Sequence, residues 1–178
     1  MKKTDTVAVC SRSFSANEYL RSKLCERYEN VKFNERGERL GEDNLVDFLR
    51  GCKKAIVALE TVDHDLLNRL PDLKVISKYG VGLDNIDIEA AQRFGVQIGW
   101  TPGVNRRSVA EWVIAVAIIL LRKANEANSE AIKGIWRPRL GALLSGKTFG
   151  IVGCGAIGKD VVQLLQPFGC ELLVYDIR

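Results

Sequence analysis

The chain has 178 residues, 47% of them hydrophobic and 27% charged, with a formal net charge of +4 at neutral pH. That length allows one generous domain or one and a half ordinary ones. Its charges are mixed, as in "RSKLCERYENVKFNERGERLGED", so no basic stripe forms and nucleic acid is not expected as a partner. The five cysteines contain no CxxC pair, which removes the usual zinc and thioredoxin spacings, so no metal is expected. With no secretory signal, they read as reduced thiols of a cytoplasmic protein. The longest apolar run, "WVIAVAIILL", is well short of the ~20 residues that span a bilayer, so no membrane partner is expected either.

Short β-rich runs then alternate with amphipathic segments. "TVAVC" reads as a strand and "NEYLRSKLCERY" as a helix with Tyr19, Leu20 and Leu24 on one face. "VKF" is a weak strand, and "EDNLVDFLRGC" repeats the helical spacing with Leu45, Phe48 and Leu49. "KAIVALE" is a strand of buried type, "DHDLLNRL" a short helix, "KVIS" a strand, "DIEAAQRFG" a helix ending on Gly95, and "VQIGW" a strand. Short unbroken apolar strands suit a parallel sheet covered on both faces, and this βα alternation predicts a doubly wound α/β domain.

After "TPGVN" the pattern changes. Ser108 has capping-box spacing to Glu111, which predicts a helix running from Val109 through "VAEWVIAVAIILLRKANEANSEAIKG". From Trp112 to Leu121 it is apolar nearly all round, so it is expected to be covered on several sides, between domains or between copies of the chain. "IWRPRLGALLSG" then connects to a second αβ unit.

In that unit "TFGIV" is a strand, "GCGAIG" follows it directly, and a helical pattern runs on through "AIGKDVVQLLQPFG". Each glycine meets a separate steric need. Gly153 permits the tight turn, Gly155 admits a pyrophosphate close to the backbone, and Gly158 lets the helix lie close on the sheet. The N–H groups around Ala156 and Ile157, at the helix start, would point at the phosphates. A further strand, "CELLVYD", ends in Asp176, 18 residues beyond Gly158 and close to the ~20 expected of a ribose-binding acid. A carboxylate there accepts from both ribose hydroxyls and repels a 2′-phosphate, so NAD is the expected cofactor. Arg178 is a counter-charge that would soften that repulsion.

Along "LKVISKYGVGLDNIDIEAAQRFGVQIGWTPGVNRRSVAEWVIAVAIILLR", "IKGIWRPRLGALLSGKTFGIVGCGAIGKDV" and the Asp176 strand end, the chain resembles the NAD-dependent D-isomer-specific 2-hydroxyacid dehydrogenases, and among them phosphoglycerate dehydrogenases. The resemblance implies a flavodoxin-like parallel-sheet substrate domain (1–103), an interdomain and dimerisation helix with its connector (104–146), and the first β-α-β unit of a Rossmann NAD-binding domain (147–178). It implies a homodimer, or pairing with a full-length relative, and a small 2-hydroxy or 2-oxo acid as ligand. The loop "KYGVG" would hold the substrate carboxylate on backbone N–H groups near Gly80, Val81 and Gly82, with Lys78 either adding a positive charge or simply ending the strand. Asn105 and Val109 match positions at the substrate- and nicotinamide-facing edge of the helix, and Val81 also faces the cofactor.

The family's substrate-holding arginine, its proton-transferring histidine and the carboxylate that tunes it would lie beyond the position of Arg178, so no catalytic residue is expected within these residues. His64, the only histidine, reads as a solvated helix-start residue, Glu111 as a capping residue and Asp84 as part of a loop. Two expectations therefore stand open: a C-terminally truncated piece of a dehydrogenase that transfers hydride between NAD and C2 of a 2-hydroxy acid, or an inactive paralogue acting as a ligand-binding or pairing module.

Overall fold

The computed structural model describes residues 2–177, and they fall into two units, Met1–Pro102 and Gly103–Arg178. In the first, β1 (Val7–Val9), β2 (Val31–Phe33), β3 (Lys54–Val57), β4 (Val75–Lys78) and β5 (Gln97–Gly99) form one sheet in the order β2-β1-β3-β4-β5. Every neighbouring pair is parallel. Parallel neighbours need crossovers, and α2 (Glu18–Arg27), α3 (Glu42–Leu49), α4 (His64–Asn68) and α5 (Ile88–Arg93) supply them; α1 (Arg12–Ser15) is a short extra turn after β1. The chain leaves β1 for β2 on one side, then crosses back over β1 to β3 on the other. That reversal is the mark of a doubly wound sheet.

Side chains fix the helix starts. Asn17, Asp63 and Asp87 each accept a hydrogen bond from the backbone N–H three residues on, which satisfies a donor the helix itself leaves orphaned. Leu45, Val46 and Leu49 of α3, Leu66 and Leu67 of α4, and Ala90 and Ala91 of α5 close over Ala8, Ala55, Val57 and Ile76 to form the main core. The opposite face departs from the expected two-sided cover. There Val7 and Val9 are buried, but Ile56 and Val75 are half-buried and Ser77 is exposed. The reason is α2, which buries none of its residues. Leu20 and Leu24 are only half-buried and Tyr19 stands in solvent.

The second unit holds α6 (Arg106–Leu121), α7 (Ala124–Ile132), β6 (Thr148–Val152), α8 (Ala156–Leu165), a 3-10 turn (Gln166–Phe168) and β7 (Glu171–Tyr175). β6 and β7 pair in parallel, Thr148 beside Glu171 and Val152 beside Tyr175. Ala110 and Ile114 of α6 meet Ile151 of β6 and Val161 and Leu165 of α8 in a smaller core.

Two expectations are corrected in this unit. The single long helix is two, broken at Lys123, whose backbone is left-handed (φ 54°). The cause is tertiary: the connector returns over the break, and Ala142 N–H takes the Leu121 carbonyl at 2.9 Å. A continuous helix would use that carbonyl for its own next turn. The cap is not Ser108, which lies inside α6 and donates its hydroxyl to Asn105 O at 2.8 Å; Asn105 occupies the cap position without a side-chain cap bond. Within the unit Trp112 and Leu120 of the apolar stretch are each 66% exposed.

Candidate functional site

The residues singled out by sequence assemble as two sets, one in each unit. In the first unit, Lys78 closes β4 and the backbone turns through Gly80, whose φ of 147° excludes a side chain at low cost. Tyr79 N–H is held by Val57 O at 2.7 Å, while Trp100 Nε1 donates to Val81 O at 2.8 Å. The turn is thus tied on both sides. Among the described residues the N–H groups of Val81 and Gly82 have no acceptor, which leaves two donors side by side at the carboxyl ends of the strands. Such a main-chain nest is an anion site.

Lys78, expected either to add a positive charge or to end the strand, is tied into the loop by hydrogen bonds. Its ammonium donates to Ala58 O and to Asn85 Oδ1 at 2.5 Å, and Asn85 Nδ2 in turn donates to Glu60 O at 2.5 Å. Burial pushes the Lys78 ammonium below its ordinary range, against the pull of the Glu60 and Asp84 carboxylates. The lysine braces the ends of β3 and β4 to the loop. Its donors are engaged by neutral acceptors.

In the second unit β6 runs into Gly153 (φ 92°), and α8 starts behind Gly155. A Cβ on Gly158 would lie 2.3 Å from Gly153 O, so only glycine allows α8 to sit this close to the turn. A Cβ on Gly155 would meet nothing within 4 Å, so the space in front of the turn is open. The N–H groups of Gly155, Ala156 and Ile157 have no acceptor among the described residues, as the first turn of a helix leaves them. A cavity of about 790 Å³ opens here, walled by the turn, Lys159, Tyr175 and Asp176. Asp176 Oδ2 accepts from Cys154 N–H at 2.5 Å, so the carboxylate is turned onto the glycine turn. Open backbone donors with an acid at the end of the next strand fit a dinucleotide. Arg178 lies outside the described residues.

Asn105 and Val109 occupy the exposed first turn of α6, Val109 half-buried and Asn105 open to solvent. His64 begins α4 on the surface, packed edge-on against Phe94 with ring centres 5.2 Å apart. Among the described residues no helix is long and apolar enough to cross a membrane, and no His, Cys, Asp and Glu group gathers at metal-binding spacing.

The profile of the D-isomer specific 2-hydroxyacid dehydrogenase catalytic domain matches residues 7–164. The chain belongs to that family. D-3-phosphoglycerate dehydrogenase of Homo sapiens is 35% identical over 142 residues, covering 78% of this chain and 27% of its own length. Glyoxylate reductase of Thermococcus litoralis is 35% identical over 162 residues, covering 85% of this chain and 47% of its own. The crystal structure of NAD+-bound 3-phosphoglycerate dehydrogenase from Entamoeba histolytica superposes with a TM-score of 0.72 at 26% identity, over 98% of this chain and 55% of that one. Pyruvate reductase of Chlamydomonas reinhardtii shares the fold, with a TM-score of 0.80 at 23% identity over 98% of this chain and 53% of that one. The chain thus spans about half, or less, of the length of these family members.

Sequence reasoning passed over three residues that the fold makes prominent. Asn85 completes the Lys78 brace, and Trp100 holds the loop. Asp160 is buried on α8 with Arg106 and Arg107 of α6 each 3.6 Å from its carboxylate, so the starts of α6 and α8 are drawn together by charge. An acid inside an otherwise apolar helical face, "AIGKDVVQLL", was the available signal for the last.

Proposed function

We propose that this chain carries the substrate-carboxylate loop and the dinucleotide turn of a cytoplasmic, NAD-dependent D-2-hydroxyacid dehydrogenase, which moves a hydride between NAD and C2 of a small 2-hydroxy acid. The observation that carries the reading is the pair of open main-chain donor sets. One, at Val81 and Gly82, suits a carboxylate, and the other, at Gly155 to Ile157, suits a pyrophosphate. Relatives named D-3-phosphoglycerate dehydrogenase, glyoxylate reductase and hydroxypyruvate reductase all act on small acids of this kind. Phosphoglycerate-like and glyoxylate-like acids are therefore the substrates to test.

NAD supplies the hydride chemistry when bound. This chain's residues bind and orient: Val81 and Gly82 hold the acid's carboxylate, Ala156 and Ile157 meet the phosphates, and Asp176 exchanges its Cys154 N–H partner for the ribose hydroxyls. The family resemblance assigns Val81, Asn105 and Val109 to the nicotinamide and substrate edge. Proton transfer is assigned to a histidine tuned by a carboxylate, and the hold on the substrate's carboxylate and carbonyl to an arginine, all of which the family resemblance places outside these residues.

Asp176→Ala tests the cofactor assignment. Losing a charged acceptor for the ribose should weaken NAD binding about tenfold or more and relax the preference over NADP. Titration of both cofactors into the two proteins measures this, and equal discrimination before and after the change would refute the assignment.

A second reading has one observation in its favour. The exposed Trp112 and Leu120 on α6 suit a module that pairs with a second copy or a longer relative. Pull-down from cells co-expressing such a relative tests it, and no retention would dismiss it.

A further inference from the structure

Trp100 follows β5, the outer strand of the first unit's sheet. It is 42% exposed, too open for a core residue, yet its indole is held: Nε1 donates to Val81 O at 2.8 Å. We propose that Trp100 is a positioning residue for the substrate carboxylate, which fixes the Val81–Gly82 peptide and so aims the Gly82 N–H at the acid. This rests on the hydroxy-acid reading above, which seats that carboxylate on the loop at Val81 and Gly82.

The sheet brings Trp100 to the loop. β4 and β5 run in parallel with Ser77 beside Gly99, so Lys78 and Trp100 leave their strands level with each other. The loop begins directly after Lys78. Neighbouring strands stand about 4.8 Å apart, a gap that an indole spans.

The loop needs a hold from outside. Gly80 and Gly82 flank Val81, and glycine leaves the adjoining peptides freer to turn than other residues do. Before them the chain is fixed by Tyr79 N–H on Val57 O at 2.7 Å, and after them by Ile86 N–H on Leu83 O at 2.9 Å. Among the described residues, the indole bond is the only hydrogen bond that Gly80, Val81 or Gly82 makes.

One bond suffices because a peptide is a rigid plane. Val81 C=O and Gly82 N–H belong to the same trans unit and point in opposite directions. An indole on the oxygen therefore turns the N–H to the far side, away from the ring. An accepting carbonyl also polarises its peptide, which makes the opposite N–H a stronger donor. The indole N–H donates only, so it cannot itself capture the Gly82 N–H. Its ring is stiff, and little freedom is lost in holding it there.

The test is a ¹H–¹⁵N NMR titration of the chain with D-glycerate, following the Val81 and Gly82 amides and the indole N–H signals of Trp100 and Trp136. The Trp100 indole signal should move with the Gly82 amide along one binding curve, while that of Trp136 stays still. Trp100→Phe keeps a ring and loses the donor. It should raise the D-glycerate Kd about fivefold or more and shift the Gly82 amide before any ligand is added. A purely structural part would lower the melting temperature and leave the Kd alone. A Trp100 indole signal that stays put while Gly82 saturates overturns the proposal, and this holds even where the variant does not fold. A folded variant with the parent's Kd overturns it too, and both results leave the hydroxy-acid reading in place. If D-glycerate moves neither Val81 nor Gly82 in the parent, the hydroxy-acid reading fails, and the part given to Trp100 with it.

Discussion

β1 and β7 are both short apolar strands in parallel pairs, yet they end in opposite environments. Val7, Ala8 and Val9 are all buried, while Leu173, Val174 and Tyr175 are 57%, 48% and 65% exposed. The difference lies in the neighbours. β1 has a strand on each side and helices closing over Ala8, whereas β7 has β6 alone and a core of only six buried residues among those described. Strand composition states what a segment tolerates, and the sheet around it decides what it buries.

The comparison breaks or sharpens under substitution. Ile76→Ala, in the main core where Ile76 is fully buried, should cost about 3 kcal/mol by urea unfolding. Gly158→Ala comes next. Its new Cβ must displace Gly153 O from 2.3 Å, so about 2 kcal/mol of stability should be lost together with NAD binding, read by melting and by cofactor titration. Leu173→Ala, at an exposed strand position, should cost less than about 1 kcal/mol. A Leu173→Ala cost equal to that of Ile76→Ala would mean that β7 is covered in solution and the contrast is false.

The smallest effect should be shared by both units. Hydrogen bonds from Lys54 and Arg21 hold the Asp5 and Glu35 carboxyls of the first unit below their usual range, and Arg139 does the same for Glu130 in the second. A carboxyl lowered on folding contributes stability above its unfolded value and loses it as pH falls through the lowered one. Melting temperature should therefore be flat near neutrality and fall below about pH 4. A rise on acidification would contradict the pairs.

Most elements were legible because their causes are local. The five strands, the helices that open at Asp63 and Asp87 and the glycine turn are each set by residues within a few positions. What was hidden had distant causes. Nothing in "LLRKANEAN" stops a helix; the break at Lys123 answers to Ala142, reached only through the fold. Lys78 looked like a strand-end cation because its acceptor, Ala58 O, is 20 residues away in sequence. The four-residue α1 lacks the length for a periodic signal. At the site, the residue types were readable, but the open N–H groups of Val81 and Gly82 were not, since a donor's freedom depends on every acceptor around it.

The returning connector carries a last consequence. It is pinned where Arg139 grips Glu130 through a two-bonded fork and where Ala142 takes the Leu121 carbonyl. Trp136 and Leu140 stand almost wholly in solvent beside these pins, 91% and 94% exposed. A chymotrypsin-like protease should nick there first. The two pieces should nevertheless migrate as one particle, because Ala110 and Ile114 remain packed on Ile151, Val161 and Leu165; covalent continuity at that point is dispensable.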